Sequence, residues 1–186
     1  MKALKLFLSF LFLLFFGGCK KDTSNSQIIN IPNGDFEYWD NAGSLLDWQT
    51  NSCPACVPPW QTYVVQKTTD AYSGKFAAKF IYNNVYKSWA YNKFPITVHP
   101  SMMIGYVKLE IINGDTVMIH IDLFSGSNIV DSGNWYGTSS IANYKKIEIP
   151  ISQSSSILDS ASIKIVGGGK QNTELYVDDL VFIKTK

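Results

Sequence analysis

A chain of 186 residues, 46% hydrophobic and 14% aromatic, can bury one sizeable core and is too apolar to remain disordered. Its 16 basic residues are all lysine and face 15 acids, a formal net charge of +1. That balance, without the bidentate fork of arginine, argues against a nucleic-acid partner.

The chain begins with an address rather than a fold. Lys2 and Lys5 precede LFLSFLFLLFF (6–16), an apolar run of signal-peptide length and short for a membrane span. Gly17, Gly18 and Cys19 follow at once. This is the pattern of a bacterial lipoprotein cleavage site, in which residues 1–18 are removed and Cys19 becomes the lipidated first residue. An ordinary secretory signal with Cys19 incidental is the alternative. Each buried acyl CH₂ contributes roughly 0.8 kcal/mol, so a multiply acylated cysteine is a lasting membrane anchor. Lysine at position 20 favours the outer membrane, at its periplasmic or its cell-surface face. Residues 19–27 are polar and aperiodic and read as a flexible tether, leaving 28–186 as a single domain. Cleavage leaves 14 lysines against 15 acids, a net charge of about −1.

The first turn signal is PNGD (32–35), and CPAC (53–56) comes next. C-x-x-C with proline has the spacing of a dithiol redox motif, but VPPW (57–60) cannot open the helix such a motif needs, and no βαβ pattern surrounds it. With Cys19 lipidated, Cys53 and Cys56 form a pair in an oxidising compartment, and a local disulfide is the preferred reading. Free thiols or a metal or redox role are the alternatives. Zinc would need two further ligands, and His99 and His120 are remote in sequence.

The remaining segments read as strands: MMIGYVKLEI (102–111), TVMIHIDLF (116–124), NYKKIEIPI (143–151), ASIKIVG (161–167) and ELYVDDLVFI (174–183). NGD (113–115), SGS (125–127) and GGGK (167–170) separate them, and no sustained 3.6-residue period follows the signal peptide. The spacing predicts an all-β chain, a two-sheet antiparallel β-sandwich. Strict alternation in the last strand would set Asp178 with Tyr176, Leu180 and Phe182, and Asp179 with Val177, Val181 and Ile183. Both faces are apolar, so one carboxylate needs a partner or a proton. No G-x-S-x-G, H-E-x-x-H or P-loop pattern occurs.

IPNGDFEYWDN (31–41), followed by DW (47–48), resembles the opening strand of jelly-roll carbohydrate-binding modules, and LYVDDL (175–180) resembles their last strand. HPSMMIGYVKLEIINGDTVMIHIDLF (99–124) and YKKIEIPI (144–151), in that order, resemble the carbohydrate-metabolism domain of bacterial surface lipoproteins. His99 stands where that family carries arginine. The resemblance spans 31–183 and implies a jelly roll of galactose-binding-like type whose first and last strands are neighbours.

It further implies a structural Ca²⁺ held by Glu37, Asp178 and the backbone carbonyls of Asp35, Tyr72 and Lys75, the last two from DAYSGKFAAKF (70–80). The alternative is that backbone N–H groups or Lys75 cap Asp178, with Glu37 exposed. The implied function is non-catalytic glycan binding that assists polysaccharide capture. Trp39 and Trp48 are expected in the core. Trp60 with Tyr63, Trp89 with Tyr91, and Trp135 with Tyr136 fall in loop-like or edge contexts and are the candidate sugar platforms. Two other functions remain open: a structural or protein-interaction module of a cell-surface complex, and a small glycan-active hydrolase or lyase. A strip of solvent-facing Trp and Tyr on one sheet would favour binding, a flat apolar patch the interaction module, and facing carboxylates in a cleft the enzyme.

Overall fold

A computed structural model describes residues 26–152 and 156–185, and among these there are eleven strands and no helix. The proposed signal peptide and Cys19 lie outside the described residues. The strands are β1 (Gln27–Asn30), β2 (Gln49–Thr50), β3 (Val65–Thr68), β4 (Ala77–Ile81), β5 (Trp89–Pro95), β6 (Met102–Glu110), β7 (Val117–Ser125), β8 (Asn128–Gly137), β9 (Ile141–Pro150), β10 (Ser160–Val166) and β11 (Glu174–Lys184). One sheet runs β3-β4-β11-β6-β9, with β1 paired to the far half of β11; the other runs β2-β5-β10-β7-β8. Every pairing between these strands is antiparallel, giving the β-sandwich of a jelly roll.

The alternation in the sequence builds the core directly. Val117, Ile119, Ile121 and Leu123 of β7 point inward beside Ala161, Ile163 and Ile165 of β10, and face Met103, Val107 and Leu109 of β6 and Leu175 and Val177 of β11. Each such aliphatic side chain contributes roughly 1.5–3 kcal/mol by leaving water. The segments around Trp89 and Trp135, expected in loop-like or edge contexts, are strands, and the second, β8, is the edge strand of its sheet. Their inward positions carry Ala90 and Asn92 in β5 and two glycines in β8, so they lack the apolar period that marks β7.

The last strand departs from strict alternation. Asp178 pairs with Tyr106, yet the next register pair is Val181 with Ile104, so β11 carries one extra residue and bulges. Asp179, with φ +49°, is in the left-handed region at that bulge. The extra residue moves the inward set from Leu175 and Val177 to Leu180 and Phe182, all four buried. Asp178 therefore does not share the face of Leu180 and Phe182, and the expectation of two apolar faces is corrected. Two adjacent acids are tolerated because the strand changes face between them.

The 31–41 segment is also not a strand. β1 is 27–30, and Asn33 and Phe36 adopt positive φ in the turn that follows. Asn33 organises this turn: its side-chain amide donates to the carbonyls of Tyr38 (2.9 Å) and Leu46 (2.7 Å), its side-chain oxygen accepts from the Tyr38 N–H (3.0 Å), and its backbone carbonyl accepts from the Trp48 indole (3.1 Å). Trp48 is buried and Trp39 half-buried against the core. The turn docks on the bulge, with Leu180 N–H donating to Gly34 O at 2.8 Å. A Cβ on Gly34 would lie 2.4 Å from the Leu180 carbonyl oxygen, so the approach requires glycine.

Candidate functional site

The outer face of the five-stranded sheet gathers residues far apart in sequence. Where β7 buries its odd-numbered residues, Met118, His120, Asp122 and Phe124 face outward. Register then fixes their neighbours. Gln49, Tyr91, Lys164, His120 and Asn134 lie side by side across all five strands. The next row is Trp89, Val166, Met118 and Tyr136; on the other side run Lys93, Ser162, Asp122 and Ser132. With strands ~4.8 Å apart, Trp89 and Tyr136 stand roughly 14 Å from each other across the face. An apolar stripe thus borders a row of hydrogen-bonding groups.

The polar row is held in place. The His120 ring sets Nδ1 2.7 Å from Asn134 Oδ1 and Nε2 3.0 Å from Asp122 Oδ1. Lys93 Nζ lies 4.1 Å from the centre of the Phe124 ring. Gln49, Trp89, Tyr91 and Lys164 line a hollow of about 260 Å³. Trp89 and Tyr91 are half-buried and Tyr136 is exposed. Trp135 is different: it packs against the core, its ring 2.8 Å from where a Cβ on Gly137 would stand. Trp135 is a packing residue, and of that pair only Tyr136 faces out.

Trp60 and Tyr63 follow the short loop that Cys53 and Cys56 close with a disulfide. Trp60 is 72% exposed. The loop is pinned at Cys53, whose N–H reaches Thr62 O (3.0 Å) and Thr62 Oγ1 (2.8 Å). Asn51, just before it, donates to Lys87 O (2.7 Å) and accepts from the Trp89 N–H (2.9 Å). The disulfide loop is therefore tethered at the Trp89 end of the face. Sequence reasoning named the aromatic residues but missed Gln49, Lys164, His120, Asp122 and Asn134 as their companions. The outward parity of the strands was the available signal, and strand order was the missing information.

The two acids of the implied cation site meet at one turn. Glu37 Oε1 accepts the N–H groups of Lys75 (2.6 Å) and Phe76 (2.9 Å), and Asp178 Oδ2 those of Tyr72 (2.8 Å) and Ser73 (3.1 Å). Between them Gly74 has φ +62°, and a Cβ there would fall 2.1 Å from Glu37 Oε1. The resemblance implied that Tyr72 and Lys75 turn carbonyls towards an ion; here their N–H groups serve the carboxylates. Asp35 is exposed and lines a separate hollow with Asn33, Tyr38 and Asp179.

Asp178 is fully buried. Burial pushes its carboxyl up to about 6; the Ser73 and Tyr72 hydrogen bonds oppose the rise and the charge of Asp179 adds to it. The Asp179 N–H also reaches Asp178 Oδ1 (2.9 Å), so amides cap both carboxylate oxygens, and a hard, oxygen-seeking cation at this turn would add its charge to that cap. Among the described residues no three His, Cys, Asp or Glu side chains form a metal cluster, so backbone carbonyls would have to complete the shell.

On this same six-stranded sheet, Glu110 and Glu174 are directly opposed on β6 and β11. Burial pulls the Glu174 carboxyl upward, but bonds from Lys79 and Tyr176 outweigh this and hold it below its ordinary range. A glycosidic general acid needs the opposite shift.

No family model matches this chain, and no curated protein matches it in sequence. Solved structures do match in fold. A family 61 carbohydrate-binding module in complex with β-1,4-galactotriose is 12% identical with a TM-score of 0.52, over 84% of this chain and 97% of that one. A promiscuous carbohydrate-binding module of the β-sandwich superfamily is 14% identical with a TM-score of 0.50, over 80% and 61%. A cyclase from Fischerella sp. TAU is 12% identical with a TM-score of 0.52, over 86% and 98%. The shared fold is the jelly roll of carbohydrate-binding modules, and it houses an enzyme as well as binding domains.

Proposed function

We propose that this chain is a non-catalytic glycan-binding domain that captures polysaccharide on the outer face of its five-stranded sheet. The observation that carries the reading is the five-strand row from Gln49 to Asn134 beside Trp89, Tyr91 and Tyr136. Sugar rings offer apolar faces to stack on aromatic rings, and hydroxyl edges for amide, imidazole and carboxylate groups. Roughly 14 Å between the flanking aromatics suits an oligosaccharide stretch rather than a single sugar. The likeness in fold to carbohydrate-binding modules supports the same reading.

The domain would hang from the outer membrane by lipid on Cys19, as the GGC pattern suggests. Palmitate labelling that survives Cys19→Ala would reject the anchor. Glu37 and Asp178, whose carboxylates meet at the Gly74 turn, would hold a structural Ca²⁺ once that turn exchanged its N–H groups for carbonyls, supplying positive charge to the buried Asp178. The test of function is a glycan array probed with the protein lacking residues 1–18. Trp89→Ala should abolish retention of whichever glycan binds while leaving the melting temperature within a degree or two. Retention unchanged in Trp89→Ala and Tyr91→Ala would move the function off this face.

A further inference from the structure

Resting on that reading of the face, we propose that the glycan it takes is negatively charged, its uronate carboxylate or sulfate ester received by Lys164 with Lys93 beside it. Lys164 stands mid-row between Tyr91 and His120, and it lines the hollow with Gln49 and Trp89. Among the described residues its side chain makes no ion pair and no hydrogen bond. The acid on this face, Asp122, is taken by His120 at 3.0 Å. Lys93 rests over the Phe124 ring and makes no ion pair within 4 Å, although its charge helps hold the Asp159 carboxyl below its ordinary range.

The other sheet treats its outward lysines differently. There Lys79 meets Glu174, Lys108 meets Asp70, and Lys146 meets Glu148. Paired outward lysines on one face and an unpaired Lys164 beside Tyr91 on the other mark the second as able to receive charge. A neutral glycan would use the aromatic stripe and the amides but leave Lys164 unanswered. A carboxylate or sulfate accepts a charge-assisted hydrogen bond from its ammonium, stronger than one from a hydroxyl. At a half-open surface that pairing is worth about fivefold in affinity and is weakened by salt.

The experiment compares polygalacturonate with its fully methyl-esterified, neutral form, and dextran sulfate with dextran, in affinity electrophoresis at 50 and 300 mM NaCl. The acidic partner of at least one pair should be retained about fivefold more strongly at low salt, and which pair responds tells carboxylate from sulfate. Lys164→Gln should remove that preference, Lys164→Arg should keep it, and Lys145→Gln on the opposite sheet should leave it unchanged. Equal retention of charged and neutral partners overturns the charge preference while the glycan reading stands. An acidic preference that survives Lys164→Gln overturns the assignment to Lys164. Retention of none of the four polymers overturns the uronate-or-sulfate assignment, and the glycan array decides the glycan reading separately.

Discussion

Asp178 offers a test whose sign depends on whether a cation is present. The carboxyl is raised from 3.8 to about 6 by burial, so the folded chain holds this proton more tightly than the unfolded chain does. Its contribution is fully present below the unfolded value and is lost as the pH rises through about 6. The difference between 3.8 and about 6 corresponds to ~3 kcal/mol of stability. For a domain of this size that is roughly 6–12 °C in melting temperature. Calorimetric unfolding in chelator from pH 4 to 7.5 should therefore show the wild type losing stability relative to Asp178→Asn as the pH rises. Asp115 and Glu174, held below their ordinary range by hydrogen bonds and, for Glu174, by Lys79, lose their contributions only on the acid side. Their losses begin below 4.5 for Glu174 and 3.8 for Asp115, so the window from about pH 5 to 7 is clear of them. Millimolar Ca²⁺ should flatten or invert the loss, because the cation favours the ionised carboxylate. Parallel wild-type and variant profiles in chelator would refute the undercompensated carboxyl, and a wild-type profile indifferent to Ca²⁺ would remove the cation.

Gly74→Ala should destabilise by about 2 kcal/mol in urea unfolding, from its left-handed backbone and the displaced Glu37 carboxylate. In a double mutant with Glu37→Ala the two losses should be less than additive, since both break one contact. Trp135→Ala should cost about 2 kcal/mol of stability because that ring packs on the core, whereas Tyr136→Ala should weaken glycan retention at unchanged stability. Replacing Cys53 and Cys56 by serine opens a loop of sequence separation 3 and should cost at most about 2 kcal/mol, read by thermal unfolding.

Much of the fold was legible where alternation was strong. β6, β7, β10 and the first half of β11 carry an aliphatic residue at nearly every inward position, and that period survives any strand order. β5 and β8 were not legible, because small or polar inward residues fit under neighbours a sequence does not name. The candidate site was legible in pieces. Its aromatic residues stood out by type, but Lys164 and Asn134 look like ordinary surface residues until β10 is seen between β5 and β7. Trp135 was misplaced for the same reason: a tryptophan beside a tyrosine does not say which of the two faces the core.

By itself the sequence determined the two-residue period, the turns that cut it into strands, and the acids that need compensation. These depend on neighbours within a few residues, where local geometry decides. The tertiary structure alone decided which strands lie side by side, that an extra residue at Asp179 turns the last strand over, and that the Gly74 turn offers N–H groups rather than carbonyls to the two carboxylates the resemblance had brought together. Such contacts are set by closing long loops around one core, and the free energy of that closure belongs to the whole chain rather than to any segment of it.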